Sequence, residues 1–457
     1  MHQRKWNVVI IIALLAFVIL NSAGKSAAFD GHVIESQTYT PHNPIHIDGN
    51  ADFLAQDAAE GWPGNGSSES PIIISGFSFA AAEHMLRVQN ADLHFKFIDN
   101  QLDGLSYEWC GVACLNAANG VIKDNYVRRA AAGIHVVAVE NFTIQGNEVH
   151  DSSFSGIVVE DGSTNVTVLN NIVYGNADYG IHIGNPYGSD VSRDVKIIGN
   201  TVYENSPSGI TLLEADNCTV EYNEIYSNDV NGIEVHSGSH WISYNNITDS
   251  YIGIFLQEGN ATITHNEIMH GDYGISVATE YNTISYNELA YNEYDGLRFY
   301  YLYETGVGGS YNFITRNVMG NNSRWGMNFG WNTTMNIATS NYLFGNGDNC
   351  QANNDGESNT IDGNYWNDWT SPDANDDSIV DVPYEIEGDA ESNDPNPMTI
   401  PDIWIDPWFS GPCACESETT TTTTDMGNGM LLDPILLTVG ASAVVIILIV
   451  AVFLRRK

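Results

Sequence analysis

The sequence predicts an all-β protein folded as a parallel β-helix, a solenoid of about twelve coils, and three observations predict it. An asparagine recurs between apolar residues at intervals of 21 to 30 residues. A glycine followed by an aliphatic residue recurs with the same period. Between these marks apolar and polar residues alternate, as they do in short strands. A period of this length without helix-forming residues indicates stacked coils of strands.

The repeated asparagine and glycine each have a physical role in such coils. Stacked amides can hydrogen-bond to one another along the axis at a spacing of about 4.8 Å. We expect the asparagine to take the left-handed conformation at one corner and the glycine to form the other tight corner. The marking asparagines are Asn100, Asn125, Asn147, Asn171, Asn200, Asn223, Asn245, Asn266, Asn287, Asn317, Asn341 and Asn364. The marking glycines are Gly133, Gly156, Gly180, Gly209, Gly232, Gly253, Gly274, Gly296 and Gly326.

The charge of the chain excludes one class of partner. Its 457 residues include 57 Asp and Glu but only 16 Lys and Arg, so the formal net charge is −41. An acidic surface repels phosphate, and we therefore expect no nucleic acid partner. Hydrophobic residues make up 43% of the chain, which is enough to build a core and excludes a disordered acidic chain.

Both ends of the chain carry topology signals. Residues 1–28 have a charged start, a short apolar core and a small-residue exit, which is typical of a secretory signal peptide. Residues 435–454 form an apolar run that is about 30 Å long as a helix, enough to cross a bilayer. The basic tail 455–457 indicates the cytoplasmic side. We expect a single-pass protein of the cell membrane with an extracellular ectodomain.

The segments between these ends complete the predicted organisation. Residues 29–70 form an N-terminal cap segment, residues 71–370 the β-helix repeats, and residues 371–412 a C-terminal cap or neck. Residues 413–434 include six consecutive threonines and form a low-complexity stalk before the membrane helix.

Three stretches of the sequence resemble a known family. They are Pro44–Phe53, Ser70–Phe77, and Gly363–Trp369 with its continuation Asp381–Ile386. Together with the Asn-x-aliphatic repeats they are similar to NosD-type β-helix proteins, often labelled periplasmic copper-binding, and to their archaeal surface relatives. The resemblance covers about residues 40 to 390. It implies a right-handed β-helix of the carbohydrate-binding and sugar-hydrolase group.

Two coils are longer than the others, and both insertions leave the same corner, as Gly184–Asp194 and Tyr300–Tyr311. Insertions on one side of a solenoid commonly flank its binding face, although neutral variation of loop length is the alternative. Alternate residues of the strands between these loops point outward. The outward positions carry a mixture of aromatic, acidic and amide groups, which suits a sugar chain, but any solvated β face has a similar composition. The candidate ligand-binding face consists of His182, Glu234, His236, Phe255, Arg298 and Tyr300.

Catalytic residues are not assigned by this pattern. Arg298 is the only Arg or Lys in the outward columns, and Glu234 lies three coils away, about 14 Å, which is too far for shared acid–base work. The Asn-Thr-Asp, Gly-His-Gly and Arg-Ile-Lys runs of polygalacturonases and the Asp-Pro-His of alginate epimerases are absent.

We therefore predict a membrane-anchored surface protein that binds carbohydrate or builds the cell surface. A polysaccharide lyase or hydrolase acting on the lateral face is the alternative, and a copper-binding accessory protein is the second alternative.

An acidic loop after the repeats is a candidate Ca²⁺ site. Alternating oxygen ligands in a tight loop suit Ca²⁺. Ser378 stands where a turn glycine is usual, and the glutamate expected at the twelfth position comes one residue late, so an acidic cap turn is the alternative. The candidate ligands are Asp373, Asn375, Asp377 and Asp381, at positions 1, 3, 5 and 9 of the loop.

The cysteines and the glycosylation motifs suit an extracellular compartment. Cys110 and Cys114 form a candidate local disulfide. Copper is disfavoured, because soft ligands occur as local pairs only at Cys413 with Cys415 and, for histidine, at positions 42 and 46. The candidate N-glycosylation sites are Asn65, Asn141, Asn165, Asn217, Asn246, Asn260, Asn321 and Asn332.

Overall fold

The computed structural model describes residues 38–401, except residues 186, 189, 303–305 and 348–349. The predicted signal peptide 1–28, stalk 413–434, membrane helix 435–454 and tail 455–457 lie outside the described residues. Within the described part of the chain, no helix is both long enough and apolar enough to cross a membrane.

Short strands stack in parallel into three sheets, and the chain visits sheet 1, sheet 2 and sheet 3 in turn in each coil. In the described residues sheet 1 consists of Thr40–Pro41, Phe77–Ala81, Gln101–Gly104, Tyr126–Arg128, Glu148–His150, Ile172–Tyr174, Thr201–Tyr203, Glu224–Tyr226, Asn246–Thr248, Glu267–Met269, Glu288–Ala290, Val318–Gly320, Tyr342–Phe344 and Tyr365–Trp366. Sheet 2 consists of Ile45–Asp48, Leu86–Gln89, Val112–Leu115, Ile134–Val137, Ile157–Glu160, Ile181–Ile183, Ser208–Leu212, Asn231–Val235, Ile252–Leu256, Tyr273–Val277, Leu297–Phe299, Met327–Phe329 and Ala352–Asn354. Sheet 3 consists of Ile72–Ser75, Phe95–Ile98, Gly120–Lys123, Glu140–Gln145, Thr164–Leu169, Lys196–Ile198, Cys218–Glu221, Ser239–Ser243, Asn260–Thr264, Thr283–Ser285, Phe313–Thr315, Ile337–Thr339 and Thr360–Ile361, with the side strands Ser192–Arg193 and Ala215–Asp216.

The predicted parallel β-helix is confirmed, with about thirteen coils in the described residues rather than twelve. The sequence count began at the first marking asparagine, Asn100. In the coil before it Phe77 occupies the same corner, and its backbone N–H donates to Oδ1 of Asn100 at 3.0 Å. A coil that lacks the asparagine is invisible to a count of asparagines.

The core runs along the axis of the coils. Alternate residues of each strand point inward, so that residues at the same position of successive coils stack in files. One file in sheet 1 passes through Val202, Ile225, Ile247 and Ile268, which pair in parallel register and are almost fully buried. Burying one such side chain contributes about 1.5–3 kcal/mol, and the repetition of these files gives the solenoid its stability.

The twelve marking asparagines form a continuous ladder at the corner between sheet 3 and sheet 1. In each coil the backbone N–H and the side-chain amide both donate to Oδ1 of the asparagine one coil further on, at 2.9–3.1 Å. The predicted stacking of amides is therefore confirmed. The predicted left-handed conformation is wrong by one residue, because the residue before each asparagine has the positive φ, as at Asp99 (56°) and Asn170 (52°). The asparagine itself turns inward, where the ladder satisfies its amide.

The repeated glycines are required by close packing rather than by a left-handed corner. Gly156 is not among the residues with positive φ. A Cβ atom on it would lie 2.4 Å from Cγ1 of Val173 and 2.8 Å from the carbonyl oxygen of Gly180, the next marking glycine. Any larger residue would push neighbouring coils apart, so each marking glycine lies where two neighbouring coils approach closely.

Both ends of the described solenoid are covered. At the N-terminal end the helix Asn50–Glu60 places Phe53 against Trp62 and Phe95. At the C-terminal end an antiparallel hairpin, Tyr384–Glu385 with Asn393–Asp394, stacks the ring of Tyr384 on Trp366 with centroids 4.1 Å apart. A solenoid without such caps would expose its last apolar layer. A second short hairpin, Tyr301–Leu302 with Val307–Gly308, projects from the side of the coils.

Candidate functional site

The two inserted loops leave the corner between sheet 2 and sheet 3, as the sequence predicts. Gly184–Asp194 follows the strand Ile181–Ile183, and Tyr300–Tyr311 follows the strand Leu297–Phe299. These two strands are five coils apart in sheet 2, which corresponds to about 24 Å. The outer face of sheet 2 between the two loops is named here the lateral face.

The predicted outward column of the lateral face is in register, each residue pairing with the residue at the same position of the next coil. Exposure varies along the column: Thr211 and Ser276 are fully buried and His182 nearly so. The side chains that reach the surface are therefore fewer than the pattern predicts. The column runs His182, Thr211, Glu234, Phe255, Ser276 and Arg298.

An acid–imidazole pair lies in the middle of this face. Oε1 of Glu234 is 2.6 Å from Nε2 of His236, and Oε2 accepts the hydroxyl of Ser208 at 2.6 Å. Burial raises the pKa of Glu234, but the hydrogen bonds with His236 and Ser208 outweigh burial and leave the pKa below its usual range. Glu234 is therefore a carboxylate at neutral pH, poised beside an imidazole. The two residues are predicted as separate members of the face, and their contact follows from their two-residue spacing, since Glu234 lies in the strand Asn231–Val235 and His236 directly follows it.

Aromatic rings and one guanidinium form the C-terminal part of the lateral face. The rings of Phe255 and Tyr300 lie nearly parallel, with centroids 6.4 Å apart and an interplanar angle of 19°. The guanidinium carbon of Arg298 lies 3.4 Å from the centre of the Tyr273 ring and 5.0 Å from the centre of the Tyr300 ring. Nε of Arg298 also donates to the hydroxyl of Ser276 at 2.7 Å. Ring stacking, the cation–π contacts and this hydrogen bond hold Phe255, Tyr273, Arg298 and Tyr300 in one rigid patch.

A cavity of about 280 Å³ opens at the N-terminal end of the same face. His182, stacked on Tyr179 with centroids 4.9 Å apart, forms one wall. The opposite wall contains Cys110, His135 and Glu160, which the sequence did not single out as site residues. The alternation of outward residues could have identified His135, since it extends the outward column two coils upstream of His182 and pairs with Val158 in register. The predicted column starts at the first inserted loop, with His182, and therefore does not include His135.

The predicted disulfide between Cys110 and Cys114 is not formed. Both thiols are free, and they lie on opposite sides of the sheet. Cys114 points into the core with no exposed surface, and burial raises the pKa of its thiol far above the usual range. Cys110 lies in the turn before the strand Val112–Leu115 and faces the cavity. Sequence proximity suggested the bond, but Cys110 lies in the turn before the strand and faces outward, whereas Cys114 lies within the strand and points into the core.

In the predicted Ca²⁺ loop the acidic side chains accept hydrogen bonds from the loop itself. The carboxylate of Asp373 accepts the backbone N–H groups of Asp377 and Ser378, at 3.2 and 3.1 Å. Asp381 accepts the N–H of Ala374 at 2.7 Å, and the amide of Asn375 donates to Asp377 at 2.9 Å. Among the described residues, no group of three or more His, Cys, Asp or Glu is placed to hold a metal ion.

The asparagines of the glycosylation motifs differ from the ladder asparagines in one respect. All eight are exposed, whereas the ladder asparagines are buried. Exposure is what a glycan requires, so their use stays a prediction that the geometry permits.

Two family models match the chain. Residues 65–240 match the model described as periplasmic copper-binding protein (NosD), and residues 187–303 match the model described as right handed beta helix region. A search of curated proteins found no match.

Several solved structures are similar to this chain. The mannuronan C-5 epimerase AlgE4 A-module of Azotobacter vinelandii is 16% identical, with a TM-score of 0.43, and the match covers 71% of this chain and 90% of that one. A mutant of the periplasmic alginate epimerase AlgG is 14% identical, with a TM-score of 0.46, covering 70% and 84%. An alginate lyase from Paenibacillus sp. str. FPU-7 is 14% identical, with a TM-score of 0.34, covering 68% and 99%. Identities and TM-scores this low carry no argument about the function of this chain.

Proposed function

We propose that this chain, whose residues 65–240 match the NosD model and whose residues 187–303 match the right-handed β-helix model, is a membrane-anchored surface protein that binds polysaccharide along the lateral face. The single observation that carries the proposal is the rigid patch in which Phe255, Tyr273, Arg298 and Tyr300 are held together. Aromatic rings offer apolar faces to the C–H groups of a sugar ring, and a guanidinium offers hydrogen-bond donors to its oxygens.

The dimensions of the face favour a chain of sugars over a single one. The patch begins one coil beyond the Glu234–His236 pair, and the inserted loops stand about 24 Å apart on either side. Glu234, Phe255 and Arg298 lie on different coils along this length, so several sugars of a polymer can contact the face at once. An acidic protein favours neutral chains, whereas Arg298 is the one group of the patch that would favour a uronate.

Membrane anchoring is the second part of the proposal. Residues 435–454 would cross the bilayer and the tail 455–457 would remain in the cytoplasm, which leaves the β-helix outside. Protease treatment of intact cells tests this arrangement. Loss of the β-helix from intact cells is expected, and its protection until the cells are lysed would contradict the outward orientation.

Glycan-array screening of the full chain in detergent tests the binding, followed by calorimetric titration of the strongest ligand. In the double variant Phe255→Ala with Tyr300→Ala we expect the affinity to fall by about 10- to 100-fold, since each aromatic contact is worth about 1 kcal/mol. The matched control is Tyr174→Ala with Tyr203→Ala, which removes a stacked pair of rings from sheet 1, with centroids 4.9 Å apart. Loss of binding in the control alone would place the ligand on sheet 1, and absence of binding to any glycan would overturn the proposal.

A second candidate, polysaccharide lyase or hydrolase activity, is favoured by one observation. The carboxylate of Glu234 orients the imidazole of His236 at 2.6 Å, and an imidazole held in this way can act as a general base. Incubation of the full chain with polyuronates and neutral glycans would produce unsaturated uronate absorbance or new reducing ends. We expect His236→Gln to abolish any such product, while His150→Gln, on sheet 1, leaves it unchanged. Absence of product from every substrate would exclude the candidate.

A further inference from the structure

Three side chains at the N-terminal end of the lateral face are connected in series. The Sγ atom of Cys110 lies 3.7 Å from Nδ1 of His135, and Nε2 of the same ring lies 2.7 Å from Oε1 of Glu160. His135 belongs to the strand Ile134–Val137, and Glu160 ends the next strand of sheet 2, so the parallel register of the two strands sets the second contact. A nucleophile, a base and a group that orients the base occur here in the order that nucleophilic catalysis requires.

The surroundings of Cys110 favour the thiolate. Burial alone would raise the pKa of the Cys110 thiol, but hydrogen bonds with His135 and His84 outweigh burial and lower the pKa to about 6. Burial would also lower the pKa of His135, but its bonds with Cys110 and Glu160 outweigh this effect and raise the pKa to about 9. Between these two pH values the pair is a thiolate beside an imidazolium, and the thiolate is the reactive form of cysteine.

Among the titratable groups around the cavity, His135 contacts both the thiol of Cys110 and the carboxylate of Glu160. Nδ1 of His84 accepts the backbone N–H of Cys110 at 3.2 Å, and the His84 ring contacts Trp109. Asp178, Tyr179 and His182 form the far wall, where burial lowers the pKa of His182 and keeps its ring neutral. The described residues that line the cavity include no Lys or Arg. Removal of His135 should therefore have a large effect on the thiol.

Cys110, 8% exposed, borders the cavity, which has an apolar wall on this side. Ala131, Ala132 and Val158 line the side next to Cys110, and the exposed ring of Phe154 stands at the rim. Small side chains beside a nucleophile leave room for the short acyl group of an ester, whereas the polar wall at Asp178 and Tyr179 suits the hydroxylated alcohol portion of the same ester. His182, on the far wall of the cavity, lies two coils or about 10 Å before Glu234 in the same column.

We propose that Cys110, His135 and Glu160 form a nucleophilic thiol site that removes short acyl groups from esters of hydroxylated ligands. Sγ of Cys110 attacks the acyl carbon, an S–C bond forms, and the ester C–O bond breaks. Nδ1 of His135 gives its proton to the departing alkoxide, while Glu160 keeps the ring oriented through Nε2. Water then attacks the thioester and gives one proton to Nδ1, which releases the carboxylic acid and restores the thiolate. The proposal does not depend on polysaccharide binding at the lateral face.

Two probes test the site on the full chain in detergent. The first is iodoacetamide. Peptide mass spectrometry measures the rate at which it alkylates Cys110 and Cys350, and Cys350 is the internal reference thiol. At pH 7 we expect His135→Gln to slow alkylation of Cys110 by about 30-fold, which is the loss of thiolate when the pKa returns to about 8.5. Glu160→Gln keeps an acceptor for Nε2, and we expect a smaller loss together with a shift of the alkylation pH profile to higher pH. His150→Gln, whose ring pairs with Asp151 on sheet 1, is the matched control and should change nothing.

The second probe is p-nitrophenyl acetate. A burst of one p-nitrophenol per chain, with an acetyl group on Cys110 and none on Cys350, would support the proposal, and Cys110→Ser should abolish the burst. Alkylation of Cys110 no faster than that of Cys350, or a rate unchanged in His135→Gln, would overturn the activated thiolate. Fast alkylation without acetylation would overturn the acyl transfer. None of these readouts requires glycan binding, so failure of this site and failure of the lateral face are distinguishable.

Discussion

The carboxylate of Asp394 accepts the backbone N–H of Asn364 at 2.9 Å and thereby ends the ladder of twelve asparagines. The same carboxylate accepts the N–H of Gly363 at 2.9 Å and the indole N–H of Trp366 at 3.0 Å. Asp394 is fully buried and lies in the C-terminal hairpin. An acceptor from outside the repeats therefore satisfies the donors that the last coil would otherwise leave unpaired.

Replacement of Asp394 is expected to loosen the C-terminal end. Asp394→Ala removes the acceptor of the backbone N–H groups of Asn364 and Gly363 and of the Trp366 indole, and we expect the free energy of unfolding to fall by about 3 kcal/mol. Guanidinium unfolding followed by Trp fluorescence measures the change. Asp389→Ala, which removes an exposed carboxylate of the neighbouring turn, should change it by no more than about 0.5 kcal/mol. Equal stabilities of the two variants would contradict the role of Asp394.

The interior of the ladder gives a second prediction. Asn223 accepts both donors of Asn200 and donates to Asn245, all within buried surroundings. Asn223→Ala is expected to lower the free energy of unfolding by about 2–4 kcal/mol, because a buried backbone N–H loses its acceptor. Asn246→Ala, at an exposed position of the adjacent strand, is the matched control in a chain made without glycosylation. Comparable losses in both variants would show that the ladder contributes little.

The repeats determined how much of this structure could be predicted. A fixed period places one asparagine per coil, and stacking at one corner then sets the register of every strand, so the coils, the ladder and the position of the inserted loops followed from the sequence. Asp394 could not be predicted as the end of the ladder, since it lies in a hairpin outside the repeat. The contact between Cys110 and His135 could not be predicted either, because Cys110 lies in a turn outside the repeat pattern and the pattern does not specify which residue of the next coil a turn residue contacts.

The acidic loop gives a third prediction. If Asp373 and Asp377 bind Ca²⁺ with a dissociation constant near 10⁻⁴ M, which is typical of extracellular modules, 10 mM Ca²⁺ should stabilise the chain by about 2.7 kcal/mol. The double variant Asp373→Ala with Asp377→Ala should abolish the shift in melting temperature. Glu224→Ala with Glu267→Ala removes the same charge from sheet 1 and should retain the shift. A shift that persists in the first variant would place the ion elsewhere, and no shift in the native chain would leave the loop as an acidic cap turn.

The pair formed by Glu234 and His236 gives a pH dependence whose sign follows from the lowered pKa of Glu234. A carboxyl whose pKa is lower in the folded than in the unfolded chain contributes stability above the unfolded value, about 4.3, and that contribution is lost as the pH falls through the folded value. Glu234→Gln should therefore be less stable than the native chain at pH 7, by about 1–2 kcal/mol, and this difference should shrink below pH ~4.

Urea unfolding at several pH values between about 3 and 7 measures this difference. The exposed Glu224→Gln on sheet 1 is the control and should follow the native chain at every pH. If the Glu234→Gln difference were the same at every pH, the bond between Glu234 and His236 would not depend on the charge of the carboxylate. In that case the acid–base role proposed for His236 would lose its support.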